Sequence, residues 1–225
     1  MLLLVTDTSG KQGSVALARG DERNRNEVEV IEVAFLAGGM FSAQLVPQIA
    51  ALLDKHDLGK ADIDAFIVVS GPGSFTGLRV GLAAIKALGE ILKKPIVAVS
   101  LLEVLAIQSR LQGKVVALLD AGRGDAYFGA YEIGASVRVL QERLLSKDEF
   151  FSAASGSTVI TADPAWAAVA REDGLSAIHV DRASAEGIAR LGLRKLQAGE
   201  TVSPEGLEAN YMRRSDAEMF VKTSP

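Results

Sequence analysis

The two halves of this sequence repeat one order of elements. Residues 3–18 and residues 116–131 each contain an apolar run that ends in aspartate, a small-residue turn and a second apolar run. This pattern predicts two antiparallel strands joined by a glycine-containing turn. With Asp7 aligned on Asp120, each hairpin is followed by a predicted third strand and then by three helices that alternate with two strands. The sequence therefore predicts the order β-β-β-α-β-α-β-α twice.

Three antiparallel strands followed by alternating helices and strands form a mixed sheet with helices on its faces. We therefore expect an α/β protein of two lobes, as in the duplicated actin-like (ASKHA, or ribonuclease H-like) superfamily, with the first lobe at 1–111 and the second at 112–204. In the first half the later elements are predicted at 28–36, 41–55, 65–70, 74–92, 96–99 and 101–111. In the second half they are predicted at 137–145, 147–153, 158–161, 164–172, 177–180 and 184–198.

Asp7 and Asp120 end the first strand of each predicted half. In actin-like folds two such carboxylates face a shared cleft, where they hold the metal of a nucleotide and orient its phosphates. The alternative is that an aspartate ends each strand by coincidence, as happens in many α/β proteins. We expect the two carboxylates to face one cleft, and this placement does not by itself imply a working nucleotide site.

The composition excludes several classes of protein. Apolar residues make up 48% of the chain, enough to cover a sheet on both faces, and there is no cysteine for disulfides, thiolate zinc sites or cysteine nucleophiles. The net charge of −4 and the pI of about 5.3 provide no basic field for nucleic acid. The first apolar run, after Met1, is too short for a signal peptide or membrane span, so we expect a cytoplasmic protein without a membrane partner.

Candidate catalytic groups are few. His56 and His179 are isolated, and no His-x-x-x-His pair, Gly-x-Ser-x-Gly elbow or Gly-x-x-x-x-Gly-Lys-Ser/Thr loop occurs in the sequence. We therefore expect no catalytic residue, no metal site and no cofactor.

The stretch "VVSGPGSFTGLRVGLAAIKALGE", residues 68–90, places a glycine-rich turn between an apolar strand and an apolar helix. Gly71 and Gly73 allow backbone angles that other residues resist, and Ser74 suits the N-cap of the helix. Free amides at such a helix start attract phosphate, yet no lysine stands at the turn. We favour a turn that sets the entry of a closely packed helix, with a nucleotide flanking the turn as the alternative.

Small residues then follow one face of the helix, at Gly77, Gly81, Ala84 and Leu88. Each glycine inside a helix costs about 1 kcal/mol relative to alanine, so a close neighbour must offset that cost. Two neighbours fit this face. One is the protein's own sheet or its helix at 41–55, and the other is a second subunit.

These segments resemble the TsaB (YeaZ) family, whose members are non-catalytic partners in bacterial tRNA threonylcarbamoyladenosine synthesis. The resemblance rests on "SGPGSFTGLRVGL", on "DTS…SVAL" at the N-terminus and on "KKPIVAVSLLEVLA". It also rests on "FSAQLVPQI" at 41–49, "DAGRGDAYFGAY" at 120–131 and "YMRRSDAE" at 211–218. The match extends over nearly the whole chain and implies the actin-like fold, with the C-terminal segment 205–225 packing back on the first lobe.

The resemblance also implies partners and a site. A TsaB-like chain binds TsaD, the catalytic subunit that transfers threonylcarbamoyl to the adenosine next to the anticodon of ANN-decoding tRNAs, and works with the ATPase TsaE. It contacts tRNA only through this complex and forms a homodimer when the partner is absent. The partner interface expected here consists of Phe41, Leu45, Ile49, Gly77, Gly81, Ala84 and Leu88. A vestigial or shared nucleotide site is expected at Asp7, Thr8, Ser9, Gly71, Gly73, Ser74 and Asp120.

Three features depart from the family pattern. Phe41 stands where the family usually has histidine, Gly122 stands where it usually has arginine, and residues 20–27 form a longer polar insertion. The main alternative function is a stand-alone enzyme, either a nucleotide-dependent phosphotransferase or a metallopeptidase. The isolated histidines disfavour the peptidase. A further alternative, an RNA-binding module, conflicts with the acidic pI and the aromatic content of 5%.

Overall fold

The computed structural model describes residues 1–21, 27–134 and 136–213. The first eight elements are β1 (Leu2–Asp7), β2 (Gly13–Gly20), β3 (Val28–Leu36), α1 (Phe41–Lys55), β4 (Ala65–Gly71), α2 (Phe75–Leu92), β5 (Ile96–Ser100) and α3 (Leu101–Gln108). The next eight are β6 (Gly113–Gly122), β7 (Asp125–Ile133), β8 (Val137–Ser146), α4 (Lys147–Ala154), β9 (Thr158–Thr161), α5 (Pro164–Glu172), β10 (Ser176–His179) and α6 (Ala185–Gln197). The predicted repeat of one element order is confirmed.

The two halves also share one sheet topology. The first sheet has the order β3-β2-β1-β4-β5 and the second has the matching order β8-β7-β6-β9-β10. In each sheet the first strand pairs antiparallel with the second and parallel with the fourth. This central strand is apolar on both sides because helices cover both faces of the sheet. The predicted α/β fold of mixed sheets flanked by helices is confirmed.

The first compact unit comprises Met1–Leu101 and Ala183–Asn210. Helices α1 and α2 contact each other and cover one face of its sheet, where their buried residues join Leu2, Leu4 and Val15 in one core. Helix α6 covers the opposite face, because Gly192 lies directly against the Ile67 side chain. The segment after α6 also packs on the α1 and α2 side of the sheet, since Leu207 is buried in the same core as these helices.

The second compact unit comprises Leu102–Arg182 and Tyr211–Pro225. Helices α4 and α5 pack on one face of its sheet through an aromatic cluster in which Phe150 contacts Phe128, Phe151 and Trp166 edge to face. Helix α3 packs on the other face, with Leu102 and Leu105 against the second sheet.

This division differs from the one expected from the sequence. The expected boundaries kept the helices α3 and α6 with their own halves, whereas the structure packs α3 on the second sheet and α6 on the first. Residues 205–210 belong to the first unit and residues 211–213 belong to the second. Residues 214–225 and most of the polar insertion, 22–26, lie outside the described residues.

Helix α3 ends earlier than the expected residue 111. Arg110 adopts a left-handed backbone conformation with φ of 57°, which an α-helix cannot continue. The Ser109 hydroxyl oxygen accepts a hydrogen bond from the Leu111 amide and so fixes the chain in the turn that follows. Within the described ranges, no helix has the length and apolar character needed to cross a membrane.

Candidate functional site: the glycine turn and the ends of the central strands

The glycine-rich turn between β4 and α2 is filled by two other segments of the first unit. Gly71 has a φ of +142°, and a Cβ there would lie 2.9 Å from the carbonyl oxygen of Asn210. The Asn210 amide in turn donates to the carbonyl of Ser70 over 2.8 Å. A Cβ at Gly73 would lie 2.5 Å from the carbonyl oxygen of Ser9. Both glycines are therefore needed because backbone from elsewhere in the chain crosses directly above them.

The two helical glycines face the end of β1. Any Cβ on Gly77 would overlap the carbonyl oxygen of Thr8, and a Cβ on Gly81 would overlap the Thr8 hydroxyl oxygen. That hydroxyl donates a hydrogen bond of 2.8 Å to the carbonyl oxygen of Gly77. Of the two neighbours predicted for this face, the structure has the protein's own chain at Gly77 and Gly81, because both glycines are buried by it.

Three amides around the start of α2, those of Ser74, Gly77 and Leu78, have partners within the chain. The Ser74 amide donates to the carbonyl oxygen of Ser9 over 2.7 Å, and the Ser74 hydroxyl oxygen caps the helix by accepting from the Gly77 amide. The Leu78 amide donates to the carbonyl of Ser74. Because other segments of the chain lie directly against the glycines of the turn and of the helix, the geometry favours the packing interpretation of the motif over the phosphate interpretation.

Asp7 ends β1 beside this turn. One carboxylate oxygen, Oδ1, accepts hydrogen bonds from the Ser9 amide at 2.8 Å and from the Ser9 hydroxyl at 2.5 Å. Burial raises the pKa of Asp7 above its ordinary value, and the two bonds from Ser9 oppose that rise in part. Because side chains alternate along a strand, Asp7 shares the face of Val5, which pairs with Ile67 on the α6 side of the sheet.

Asp120 is not the counterpart of Asp7, so the sequence alignment is wrong by one residue here. Its Oδ1 accepts from the indole nitrogen of Trp166 at 3.0 Å, which places Asp120 on the α5 face of its sheet. The equivalent contact in the first unit is the one from Thr8 to α2. The registers agree, because Leu3 pairs with the first residue of β4 and Val115 pairs with the first residue of β9. Asp7 therefore corresponds to Leu119.

The β6–β7 turn carries a polar cluster that sequence reasoning missed. The Arg213 guanidinium donates to the Gly122 carbonyl oxygen at 3.1 Å and to an Asp125 carboxylate oxygen at 2.7 Å. Burial raises the pKa of Tyr127, and a hydrogen bond with Arg213 lowers it in part. The signal was the arginine pair in "YMRRSDAE", which the sequence alone does not connect with this turn. Gly122 has a φ of 73°, so its replacement of the usual arginine fits a left-handed turn position.

The residues expected at the partner interface lie mainly inside the first unit. Phe41, Leu45 and Ile49 are buried in the core of α1 and α2, and a Cβ on Gly13 would lie 2.9 Å from the Phe41 ring. Ala84 and Leu88 are partly buried against the same core. The prediction that Phe41, Leu45 and Ile49 contact a partner is wrong, because they lie on the apolar face of α1, which packs on its own sheet.

Other residues of the same two helices point outward. Val46 of α1 is 54% exposed, Ile91 of α2 is 72% exposed, and Met40, just before α1, is 53% exposed. Exposed alanines of the two helices lie beside these residues along each helix, among them Ala43, Ala50, Ala83 and Ala87. We call these seven residues the α1–α2 surface. The sequence analysis assigned the partner interface to apolar residues that recur at helical spacing, and a helix buries such residues in its own core.

The two histidines have separate surroundings. The Nε2 atom of His56 lies 2.8 Å from a carboxylate oxygen of Glu32, which also binds the Lys55 ammonium group. His179 ends β10 and is exposed. Among the described ranges, no group of three histidine, aspartate or glutamate side chains is arranged to hold a metal ion.

Fold and site together define a class. The chain is a duplicated α/β protein of the actin-like, ribonuclease H-like type, in which the glycine-rich turn serves internal packing. Its structure is similar to that of YeaZ from Pseudomonas aeruginosa, with a TM-score of 0.72 and 25% sequence identity over 94% of this chain and 100% of that one.

A family model described as "TsaD: tRNA N6-adenosine threonylcarbamoyltransferase" matches residues 36–212. The chain belongs to this family and, within it, to the TsaB (YeaZ) group. It is 35% identical over 133 residues to the TsaB protein of Bacillus subtilis, a match that covers 59% of this chain and 56% of that protein. It is 29% identical to the Escherichia coli TsaB protein, with 96% of each chain covered. The matches to the Bacillus and mycobacterial relatives thus span about half of those proteins or less.

Proposed function

We propose that this chain acts in tRNA threonylcarbamoyladenosine biosynthesis, as a non-catalytic subunit that binds and stabilises a TsaD-type catalytic subunit. The relatives from B. subtilis, Haemophilus influenzae and E. coli are named as proteins of this pathway. The motifs described in the sequence analysis resemble the same group. The transfer itself, of threonylcarbamoyl to the adenosine beside the anticodon of ANN-decoding tRNAs, belongs to the partner. A TsaE-type ATPase completes the proposed complex in the cytoplasm.

The α1–α2 surface is the observation that carries this proposal. Two helices that contact each other expose Val46 and Ile91 over more than half of their area, with small alanines beside them. Small side chains let a partner helix approach closely, and large apolar side chains supply contact area. The surface therefore suits another helical face. We propose that a TsaD-type chain docks there, and that a second copy of this chain occupies the surface when the partner is absent.

The charge of the chain supports an indirect role with tRNA. A net charge of −4 gives no electrostatic attraction for a phosphate backbone, so tRNA binding falls to the partner. The packed glycine turn supports the non-catalytic part of the proposal, because the backbone of Ser9 and Asn210 fills the turn and the Ser74 amide is bonded within the chain. We expect the isolated chain neither to hydrolyse ATP nor to transfer threonylcarbamoyl.

Reconstitution tests the proposal. Purified TsaD-type and TsaE-type proteins, threonylcarbamoyl-adenylate and tRNA are combined with and without this chain, and modified adenosine is measured by mass spectrometry. We expect modification of adenosine to require this chain. We expect the Asp7→Ala chain to support the same modification as wild type, because the Asp7 carboxylate takes no part in the chemistry. Full modification without the chain would contradict the proposal. Turnover of ATP by the isolated chain that Asp7→Ala abolishes would favour the stand-alone enzyme.

A further inference from the structure

Met40 is the most accessible methionine of the described residues. Its side chain is 53% exposed, while Met1 and Met212 are half-buried and Met212 packs on the core of the second unit. The sequence contains no cysteine, so no thiol competes with methionine for a mild oxidant. Among the methionines of the described residues, the Met40 thioether is therefore the one that an oxidant in solution reaches most easily.

The position of Met40 links its chemistry to the α1–α2 surface. Its carbonyl oxygen accepts hydrogen bonds from the amides of Ala43 at 3.0 Å and Gln44 at 3.1 Å, so Met40 begins the first turn of α1. The side chain is apolar, and five residues before it in the chain the Phe35 side chain, near the end of β3, is 67% exposed. Met40 is thus an apolar contributor to the surface at the start of α1.

We propose that Met40 is a peroxide-sensitive site whose oxidation weakens docking at the α1–α2 surface. This inference rests on the proposed function, since it needs a partner at that surface. The sulfur lone pair attacks one oxygen of a hydroperoxide, a sulfur–oxygen bond forms and the oxygen–oxygen bond breaks. The thioether becomes a sulfoxide and is oxidised by two electrons, while the peroxide is reduced to water or an alcohol. A thiol-dependent sulfoxide reductase reverses the step.

The physical consequence follows from the change in polarity. A sulfoxide is a strong hydrogen-bond acceptor, and an apolar partner face gives it no donor. Burying an unpartnered polar group has a cost that corresponds to a loss of about tenfold in affinity or more. The oxidised chain is therefore expected to stay folded, because the Met40 side chain lies outside the core, and to bind its partner more weakly.

The test uses the full chain and the TsaD-type protein. The chain is treated with hydrogen peroxide, oxidation at each methionine is measured by peptide mass spectrometry, and the dissociation constant is measured by calorimetry before and after treatment. Met40→Leu is the matched control, because leucine removes the thioether at this position while the other methionines remain oxidisable, and its affinity is compared before and after peroxide. Melting temperature is measured for each sample.

Among Met1, Met40 and Met212 we expect sulfoxide to appear first at Met40, the dissociation constant to rise about tenfold or more, and the reductase to restore it. For Met40→Leu we expect the dissociation constant to be the same before and after peroxide, whatever its untreated value. If Met1 or Met212 is oxidised before Met40, or if the chain oxidised at Met40 binds as tightly as untreated chain, this inference is overturned and the proposed function stands. If the untreated chain does not bind the partner at all, the proposed function is wrong and the inference fails with it.

Discussion

The hydroxyl group of Thr8 donates a hydrogen bond of 2.8 Å to the carbonyl oxygen of Gly77. This bond joins the end of the central strand to the second helix, and it forms only because Gly77 and Gly81 carry no side chain on the facing side. Glycines in a helix cost about 1 kcal/mol each, and the close approach of the strand end offsets that cost. The glycine-rich motif of residues 68–90 thus serves close packing within the chain.

Gly81→Leu tests this packing directly. A leucine at this position must displace Thr8, and forcing extra atoms into a packed site costs roughly 1–3 kcal/mol or more. We expect the free energy of unfolding, measured by urea denaturation, to fall by at least that amount. Ala83→Leu is the control on the same helix, because Ala83 is exposed. A Gly81→Leu chain that unfolds at the same urea concentration as wild type would contradict the account.

Thr6 and Thr8 form a matched pair for a second prediction. Both are buried, but within the described part of the chain the Thr6 hydroxyl oxygen has no hydrogen-bond partner, and its cross-strand neighbours are Val15 and Val68. Thr6→Val should raise the free energy of unfolding by about 1 kcal/mol, because it removes an unsatisfied polar atom. Thr8→Val should lower it by about 0.5–1.5 kcal/mol, because it removes a bond. Equal effects of the two substitutions in urea denaturation would be inconsistent with this assignment.

Asp7 should make stability depend on pH. Because burial raises its pKa in the folded state, the folded chain holds the proton more tightly than the unfolded chain, whose aspartate titrates near the ordinary value of 3.8. Wild-type stability should therefore fall as pH rises from that value through the raised folded pKa. Asp7→Asn removes the titration and keeps an oxygen that accepts from Ser9.

The measurement is thermal melting of wild type and Asp7→Asn between acid and neutral pH. We expect the variant to melt higher at neutral pH and the difference to shrink in acid. Asp54→Asn, at an exposed position on α1, is the control for a generic loss of charge. A variant that melts lower than wild type at neutral pH, by a difference that shrinks in acid, would contradict this account and show that the Asp7 charge stabilises the fold.

The fold was predictable because its signals are local and occur twice. Apolar runs predicted strands, helical spacing predicted helices and turn residues predicted where these elements end. The bounds of β3 and α1 are those expected. The helices that change sheets were not predictable in this way. Helices α3 and α6 each have an apolar side that fits either sheet, and the sequence does not state which sheet receives it.

The site was predictable in type and less so in detail. The spacing of the glycines predicted that another segment lies close to the helix. The residues that do so are Thr8, Ser9 and Asn210, which are distant in sequence from the glycines, and no local pattern identifies them. The alignment of Asp7 with Asp120 failed because a shift of one residue along a strand moves a side chain to the other face. The expectation that both carboxylates face one cleft stays a prediction.

Trp166 offers a direct probe of the second unit, because it is the one tryptophan of the sequence. Its indole nitrogen donates to Asp120, and this bond should hold the emission at longer wavelength. Asp120→Ala should shift the emission maximum to shorter wavelength with little change in melting temperature, since Asp120 is exposed. Asp148→Ala, exposed on α4, should leave the spectrum unchanged. Identical spectra for Asp120→Ala and wild type would mean that the bond does not persist in solution.

The central claim is that the α1–α2 surface binds the catalytic partner, and the affinity of one variant tests it most directly. Ala87→Glu places a charge on the exposed side of α2, where we propose that the partner packs, and a buried unpaired charge should weaken binding by at least about tenfold. Ala168→Glu, on the exposed side of α5, is the matched control. Dissociation constants for the TsaD-type protein are measured by calorimetry, with melting temperatures alongside. We predict that Ala87→Glu melts like wild type and binds at least about tenfold more weakly, while Ala168→Glu binds normally. Wild-type affinity in Ala87→Glu would contradict the account.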